Sequence, residues 1–186
     1  MKLYEEGIKS EVLFEGKIIT LRRDTVRLPN GNEATREVVE HPGGVAVVAV
    51  DADNNVYMVR QYRRPFDTLV LEIPAGKLDS GEEPFVCCQR ELEEETGLVA
   101  GTYEYLGAFM VSPGFCREWI HIYLARDLKP GKAHLDPDEF LEVEKHSLEE
   151  LMNKIMNNEL VDAKTVIGIL KANEIIRNEA NKVDKK

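Results

Sequence analysis

Residues 76–98 read GKLDSGEEPFVCCQRELEEETGL, and this stretch decides the fold. Pro84 is well tolerated in the first turn of a helix and Gly97 is favoured just after a helix end, so the spacing predicts a helix between them. On that helix Glu91 and Glu95 stand four residues apart, which places both carboxylates on one face. Apolar residues on another face can pack against a sheet. The stretch therefore predicts a helix that is anchored on one side and acidic on another.

The acidic face has two interpretations. A run of charged residues is most often a solvated surface. Like charges one turn apart destabilise a helix, however, so the carboxylates of Glu91, Glu94 and Glu95 are better explained if a cation binds among them. Hard oxygen ligands favour Mg²⁺ or Mn²⁺. The residues of the helix leave this choice open, and the flanking residues decide it.

Composition limits the classes of function. The chain has 186 residues with 24 Lys and Arg against 34 Asp and Glu, a formal net charge of −10. This length suits one domain with a small appendage, and the acidic charge argues against a general nucleic-acid binder, which needs a basic surface. Apolar runs such as residues 43–50 are far shorter than a membrane span, and the N-terminus has no apolar stretch of signal-peptide length. Cys87, Cys88 and Cys116 fit neither a disulfide framework nor a zinc site, so we expect a cytoplasmic protein without membrane or nucleic-acid partners.

Strand patterns occupy both sides of the predicted helix. The first forty residues favour strands, and residues 29–32 (PNGN) predict the turn of a hairpin. Further strands are expected at residues 45–50, 56–62, 69–73, 103–111, 118–126 and 140–143. Ser147 begins a capping box for a second helix, and a last helix is expected from about Asp162. The pattern predicts an α+β fold with a mixed β-sheet between helices, preceded by a β-rich N-terminal segment.

The stretch 76–98 also resembles the signature of a known family, the Nudix box G-x5-E-x7-R-E-U-x-E-E-x-G-U, in which U is a bulky aliphatic residue. Every fixed position is filled, by Gly76, Glu82, Arg90, Glu91, Glu94, Glu95 and Gly97, with Leu92 and Leu98 at the aliphatic positions. The chain is therefore identified as a member of the Nudix hydrolases, which cleave a nucleoside diphosphate linked to another moiety. The resemblance implies the Nudix fold, an α/β/α sandwich.

The same resemblance implies roles for the residues of the box. Oxygen ligands for divalent cations would come from the carboxylates of Glu91, Glu95 and Glu94 and from the backbone carbonyl of Ala75. The expected cation is Mg²⁺, with Mn²⁺ able to replace it; it would neutralise pyrophosphate charge and activate water. Arg90 would orient the glutamates and Glu82 would anchor the loop to the helix. Gly76 and Gly97 fill the structural positions.

Further segments resemble the ADP-ribose pyrophosphatase branch of the family. Pro113 and Gly114 follow the box within the motif SPGF and would contact substrate. Arg63, in QYRRP, would clamp the substrate phosphates, because a guanidinium binds them in bidentate fashion. An ordinary surface salt bridge is the alternative for this arginine. Arg36 would reach a phosphate or a ribose of the substrate.

Glu139 is the candidate base of the reaction. The segment 136–143 resembles the acidic loop and strand of the same branch, and Glu139 would return to the metal site to accept a proton from water. Some relatives carry a further acid two residues earlier, where this chain has Pro137. Glu94 therefore stays open as the alternative base.

The N-terminal hairpin fits the same branch. In similar enzymes the segment before the Nudix fold exchanges between two subunits, so we expect a homodimer in which residues 1–42 exchange. Residues 43–180 would form the hydrolase domain and residues 181–186 a tail. The expected reaction is Mg²⁺-dependent hydrolysis of ADP-ribose to AMP and ribose 5-phosphate by metal-activated water.

Other activities remain open at this point. The enzyme could act on other nucleoside diphosphate sugars, such as GDP-mannose. A catalytically silent nucleotide-binding module is disfavoured, because such modules usually lose glutamates of the box. Enzymes that remove damaged nucleoside triphosphates tend to be shorter and to lack the N-terminal hairpin.

Overall fold

The computed structural model describes residues 3–135, 137 and 139–183. Asp136 and Asp138 of the predicted acidic segment, and residues 184–186 of the predicted tail, lie outside the described residues. The chain divides into two compact units. The smaller unit comprises Met1–Gly43 and Met110–Trp119, and the larger unit comprises Gly44–Phe109 and Ile120–Lys186.

The elements follow one another along the chain with short connections. In chain order they are β1 (Glu6–Glu15), β2 (Thr20–Arg27), β3 (Glu33–Glu40), β4 (Gly44–Val50), β5 (Asn55–Arg63), β6 (Thr68–Glu72), β7 (Ala75–Lys77), α1 (Pro84–Thr96), β8 (Leu98–Met110), β9 (Cys116–Arg117), β10 (Trp119–Pro130), β11 (Leu141–Ser147), α2 (Leu148–Met156) and α3 (Ala163–Val183). No helix in the described ranges is long and apolar enough to cross a membrane.

The smaller unit contains a sheet of strand order β1-β2-β3-β9. Strands β1, β2 and β3 are antiparallel, whereas β9 runs parallel to β3. The turn between β2 and β3 is closed by the N–H of Leu28, which donates to the carbonyl oxygen of Asn32 (2.8 Å). Gly31 in this turn has φ +88°, a conformation that glycine adopts without strain. The predicted hairpin is confirmed, and β1 on its outer edge is exposed along its whole length.

The larger unit contains a mixed sheet of order β11-β5-β4-β10-β8, with β6 paired to β5 and β7 paired to β4. Strand β4 lies at its centre, parallel to β10 and antiparallel to β5. A strand buried on both faces reads as a continuous apolar run, which is what residues 44–50 show.

Side chains of β4 alternate between two cores. Ala46, Val48 and Val50 join a core that includes Leu151 of α2 and Ile169 of α3. On the opposite face, another core joins β4 to α1; its buried members include Val45, Val47, Ala49, Cys87, Cys88 and Leu92. Helices therefore cover both faces of the sheet, which confirms the predicted sandwich of a mixed sheet between helices.

The ends of the predicted helices are mostly confirmed. Helix α1 begins at Pro84 and is followed by Gly97, whose φ of +67° gives the left-handed end that glycine favours. Ser147 caps α2, because its side chain accepts a hydrogen bond from the N–H of Glu150. Helix α3 runs to Val183, so residues 181–183 of the predicted tail are helical. Strand β7 was not expected from the sequence.

Candidate active site

Helix α1 carries two buried carboxylates beside its apolar anchor. Glu91 is 8% exposed and Glu95 2%, on the same helix as the fully buried Leu92. A buried carboxylate costs free energy unless it is paired or bound. The solvated-surface interpretation of the acidic face is therefore wrong for these two residues.

Glu91 fits closely against the start of the box. A Cβ atom added at Gly76 would lie 1.8 Å from Cδ of Glu91, so this position has no room for a side chain while Glu91 keeps its place. Burial raises the pKa of Glu91 to about 7, against the opposing effect of Arg90, and the acids Glu94 and Glu139 raise it further.

Glu95 points at the strand that leads into the box. The N–H of Ala75 donates to Oε2 of Glu95 (2.9 Å). Burial raises the pKa of Glu95 to about 8; the Ala75 hydrogen bond opposes this rise, whereas Glu139 and Glu91 add to it. The box therefore places acids close to one another where burial favours their neutral form.

Arg90 ties the acids of the box together. Its Nε and Nη2 each donate to the Glu82 carboxylate at 3.0 Å, and its Nη1 donates to Glu91 (2.7 Å) and Glu94 (2.8 Å). Arg90 lowers the pKa of Glu82 to about 2. Glu82 also accepts a hydrogen bond from the N–H of Asp79 (3.0 Å), so it joins the loop to the helix.

Glu94 is more accessible than the buried acids Glu91 and Glu95. Beyond its contact with Arg90, its Oε1 lies 3.5 Å from Nε2 of His134, and its backbone carbonyl accepts the N–H of His134 (3.1 Å). His134 follows β10 in the segment that leads toward Glu139. Glu139 itself is half-buried and raises the pKa of both Glu91 and Glu95, which places its charge near the two buried carboxylates.

The donor atoms suit a hard divalent cation. Within the described residues, no three His, Cys, Asp or Glu side chains already form a ligand group. Arg90 donates to Glu91 and Glu94, and the N–H of Ala75 donates to Glu95. The buried carboxylates nevertheless supply the oxygen atoms that such cations prefer, and a cation would offset the burial and the neighbouring acids that raise their pKa values. The residues present therefore fit a divalent metal.

Arg63 belongs to a second charged cluster in the larger unit. Its Nε and Nη2 donate to the two carboxylate oxygens of Glu72 at 2.6 and 2.7 Å. Lys164 of α3 contacts the same carboxylate. The ion pair between Arg63 and Glu72 differs from an ordinary surface salt bridge, because Glu72 is 2% exposed. Sequence reasoning gave no role to Glu72 or Lys164; the signal was a charged residue at the end of the apolar run 69–71.

The remaining substrate candidates lie in the smaller unit. Arg36 on β3 pairs with Glu5, its Nε donating to Oε2 at 3.0 Å. Pro113 and Gly114 form a turn before β9, in which the carbonyl of Ser112 accepts the N–H of Phe115 (3.1 Å). Gly114 has open space where a Cβ would lie. The structure thus gathers the box residues with Glu139 in the larger unit and places these three in the other.

Comparisons with known proteins cover nearly the whole chain. A family model described as NUDIX domain matches residues 40–166, and one described as nucleoside diphosphate sugar hydrolase N-terminal domain matches residues 5–39. An ADP-ribose pyrophosphatase of Bacillus subtilis is 46% identical over 90% of this chain and 91% of its own. A methanol dehydrogenase activator of Bacillus methanolicus is 47% identical over 90% and 92%. The crystal structure of an ADP compounds hydrolase superposes with a TM-score of 0.85 at 21% identity, covering 96% of this chain and 98% of that one.

Proposed function

The chain belongs to the NUDIX family, and we propose that it hydrolyses the pyrophosphate bond of ADP-ribose to give AMP and ribose 5-phosphate. The observation that carries the proposal is the pair of buried acids Glu91 and Glu95, with Glu139 near them, in an intact box. The 46% identity to an ADP-ribose pyrophosphatase supports the choice of substrate.

Divalent cations are a general requirement of this family, and we propose Mg²⁺, with Mn²⁺ able to replace it. Glu91 and Glu95 would be the main ligands, with Glu94 and the carbonyl oxygen of Ala75 beside them. When bound, the cation supplies charge neutralisation for the pyrophosphate and acidifies a water molecule. Arg90 keeps Glu91 and Glu94 aimed at the same place through its hydrogen bonds.

Glu139 takes the proton of the attacking water in this proposal. Its charge raises the pKa of Glu91 and Glu95, which supports a place close enough to act on a water bound there; a base needs to lie within hydrogen-bond reach of the water that it deprotonates. Glu94 is the alternative base, because it is more exposed than the two buried acids and faces His134.

Arg63 would bind the substrate phosphates. Its pairing with Glu72 through Nε and Nη2 fixes the plane of the guanidinium before any substrate arrives. A group that is already ordered loses less conformational entropy on binding. Arg36, Pro113 and Gly114 are the further residues that we propose to contact the substrate.

We also propose a homodimer in which residues 1–42 exchange between subunits. Strand β1 exposes apolar side chains, among them Val12 at 60% and Phe14 at 56%. Exposed apolar surface of this kind marks interaction sites. A cytoplasmic location is proposed because all three cysteines are free.

The test is incubation of the purified protein with ADP-ribose and Mg²⁺, followed by separation of the products. We expect AMP and ribose 5-phosphate in equal amounts, and loss of both when a chelator removes the cation. A panel that includes GDP-mannose, compared by kcat/KM, tests the alternative sugars. Turnover of another nucleoside diphosphate sugar without AMP from ADP-ribose would overturn the substrate, and tight binding without turnover would support a silent binding module.

A second candidate function is activation of a methanol dehydrogenase. The observation that favours it is the 47% identity to such an activator over 90% of the chain. Methanol oxidation by the dehydrogenase, measured with and without this protein, tests it. A box variant that has lost hydrolysis would show whether any activation depends on the same acids.

A further inference from the structure

A cluster of charges at the start of α3 contacts the segment that leads into the box. Lys164 contacts the carboxylate of Glu72, and its Nζ lies 3.0 Å from Oδ2 of Asp162. The same Asp162 oxygen accepts the N–H and the hydroxyl of Thr165, at 3.0 and 2.5 Å. The side chain of Lys164 is 12% exposed, so these contacts are largely shielded from water.

Residues 72–75 are held by contacts from several elements of the larger unit. The N–H of Ile73 donates to Oγ1 of the fully buried Thr165 (2.9 Å). The carbonyl of Pro74 accepts the N–H of Val47 (2.9 Å), and the N–H of Ala75 donates to Glu95. Because this segment joins the Glu72 cluster to a buried acid of the box, the start of α3 is connected to both.

Two cations, Arg63 and Lys164, contact the carboxylate of Glu72. A buried carboxylate must be compensated, and Arg63 alone could compensate Glu72. The positive charge of Arg63 would then be neutralised locally. Lys164 adds a second cation to the same carboxylate, so the charge of Glu72 is shared between Arg63 and Lys164. Asp162 also contacts Lys164, and it brings the four charges of the cluster to a net charge of zero. The charge of Asp162 is shared with the N–H and hydroxyl of Thr165 at the helix start.

We infer that Lys164 is a positioning residue, which shares the charge of Glu72 so that the guanidinium of Arg63 stays available to a pyrophosphate. This inference rests on the phosphate-binding role proposed for Arg63. Lys164 acts on the substrate through Glu72 and Arg63, and its loss therefore weakens binding of the substrate more than it slows the chemical step.

The experiment compares Lys164→Met with Lys171→Met, which removes an exposed lysine from the same helix. We expect Lys164→Met to raise the KM for ADP-ribose about tenfold with kcat changed less than about threefold, and Lys171→Met to change neither. Lys164→Arg keeps the charge and should recover most of the affinity. Unchanged KM in folded Lys164→Met, or an equal effect in Lys171→Met, would overturn the inference.

Two further measurements keep the test decisive. If Lys164→Met does not fold, the double variant Glu72→Gln with Lys164→Met removes both buried charges and should fold. The amide that replaces the Glu72 carboxylate still accepts a hydrogen bond from Arg63 but no longer neutralises its charge, so we expect a KM close to the wild-type value. A tenfold increase of KM in the double variant counts against the inference. Calorimetric binding of inorganic pyrophosphate in Mg²⁺ should weaken about tenfold in Lys164→Met. This second result does not depend on turnover of ADP-ribose, so failure of the proposed substrate and failure of the inference are distinguishable.

Discussion

Two buried glutamates of the larger unit differ in how their charge is compensated. Glu72 and Glu95 are each 2% exposed, yet their pKa values move in opposite directions. Burial alone would raise the pKa of Glu72, but the hydrogen bond from Arg63 and the charge of Lys164 lower it overall. Burial raises the pKa of Glu95 to about 8, and the neighbouring acids Glu139 and Glu91 add to the rise.

The difference shows that burial does not by itself tell a structural acid from a metal ligand. Glu72 is compensated by side chains within the fold, so its ionised form is stable as it stands. Glu95 receives a backbone N–H from Ala75, and the acids Glu139 and Glu91 raise its pKa more than the charge of Arg63 lowers it. An acid held in this way is most stable when protonated or when a cation binds, which is the property a metal ligand needs.

The largest expected effect comes from removing the uncompensated charge. Glu95→Gln should lower kcat for ADP-ribose about 10³-fold, because a lost metal ligand costs several kcal/mol of transition-state stabilisation. Its melting temperature without divalent cations should not fall, since a neutral amide removes a charge that the fold does not compensate. Steady-state kinetics and thermal unfolding measure the two quantities.

Glu93→Gln is the matched control for this prediction. Glu93 lies on the same helix and accepts the N–H of Lys132 (3.2 Å), outside the group of buried acids. We expect it to keep kcat within about threefold of the wild type. A Glu95→Gln enzyme as active as Glu93→Gln would contradict the ligand role and end the contrast between Glu95 and Glu72.

A smaller loss is expected at the acid that approaches the pair from outside the box. Glu139→Gln should lower kcat about 10²-fold, because a positioned base contributes about that much to a proton transfer. The affinity for Mn²⁺, titrated by calorimetry, should change little. Loss of metal binding instead would make Glu139 a ligand, and an unchanged kcat would transfer the role of base to Glu94.

The box and the Glu72 cluster also differ in how well the sequence predicts them. Helix α1 was predicted with both ends correct, because Pro84 and Gly97 act locally on the backbone. Glu91, Glu94 and Glu95 lie within five residues, so their spacing alone places their carboxylates on one helix. Local signals of this kind can be recognised in the sequence without knowledge of the tertiary structure.

The Glu72 cluster depends on contacts that the sequence does not display. Glu72 and Lys164 are 92 residues apart, and each by itself suits an exposed strand end or a solvated helix. Strand β7 is three residues long and has no periodicity that could be recognised. The sequence likewise does not predict the burial of Glu91 and Glu95, since an acidic run is usually solvated.

A third prediction tests the position of Glu91 without removing its charge. Gly76→Ala would place a Cβ 1.8 Å from Cδ of Glu91, so the carboxylate must move. We expect kcat to fall about tenfold, with a loss of about 1–3 kcal/mol in the free energy of unfolding, as for other overpacked sites. Gly7→Ala, where no atom lies within 4 Å of the added Cβ, is the control. Wild-type kcat in Gly76→Ala would mean that the precise place of Glu91 does not matter.

The smallest effect is a loss of stability with rising pH, which Glu95 should cause and Glu72 should not. The folded-state pKa of Glu95, about 8, lies above the value of about 4.3 for an unfolded glutamate, so the folded protein binds the extra proton. Its contribution to stability is therefore fully present below the unfolded pKa and is lost as the pH rises through the folded one.

With a chelator present, we expect the melting temperature to fall on the order of 5 °C between about pH 5.5 and about pH 8.5. Glu95→Gln should reduce this fall, and the part that remains comes from Glu91, whose pKa burial raises to about 7. Glu72→Gln should leave the fall in place, because the lowered pKa of Glu72 gives a contribution that is lost only toward acid pH. A fall that is undiminished in Glu95→Gln and disappears in Glu72→Gln would reverse the assignment of the compensated and the uncompensated acid.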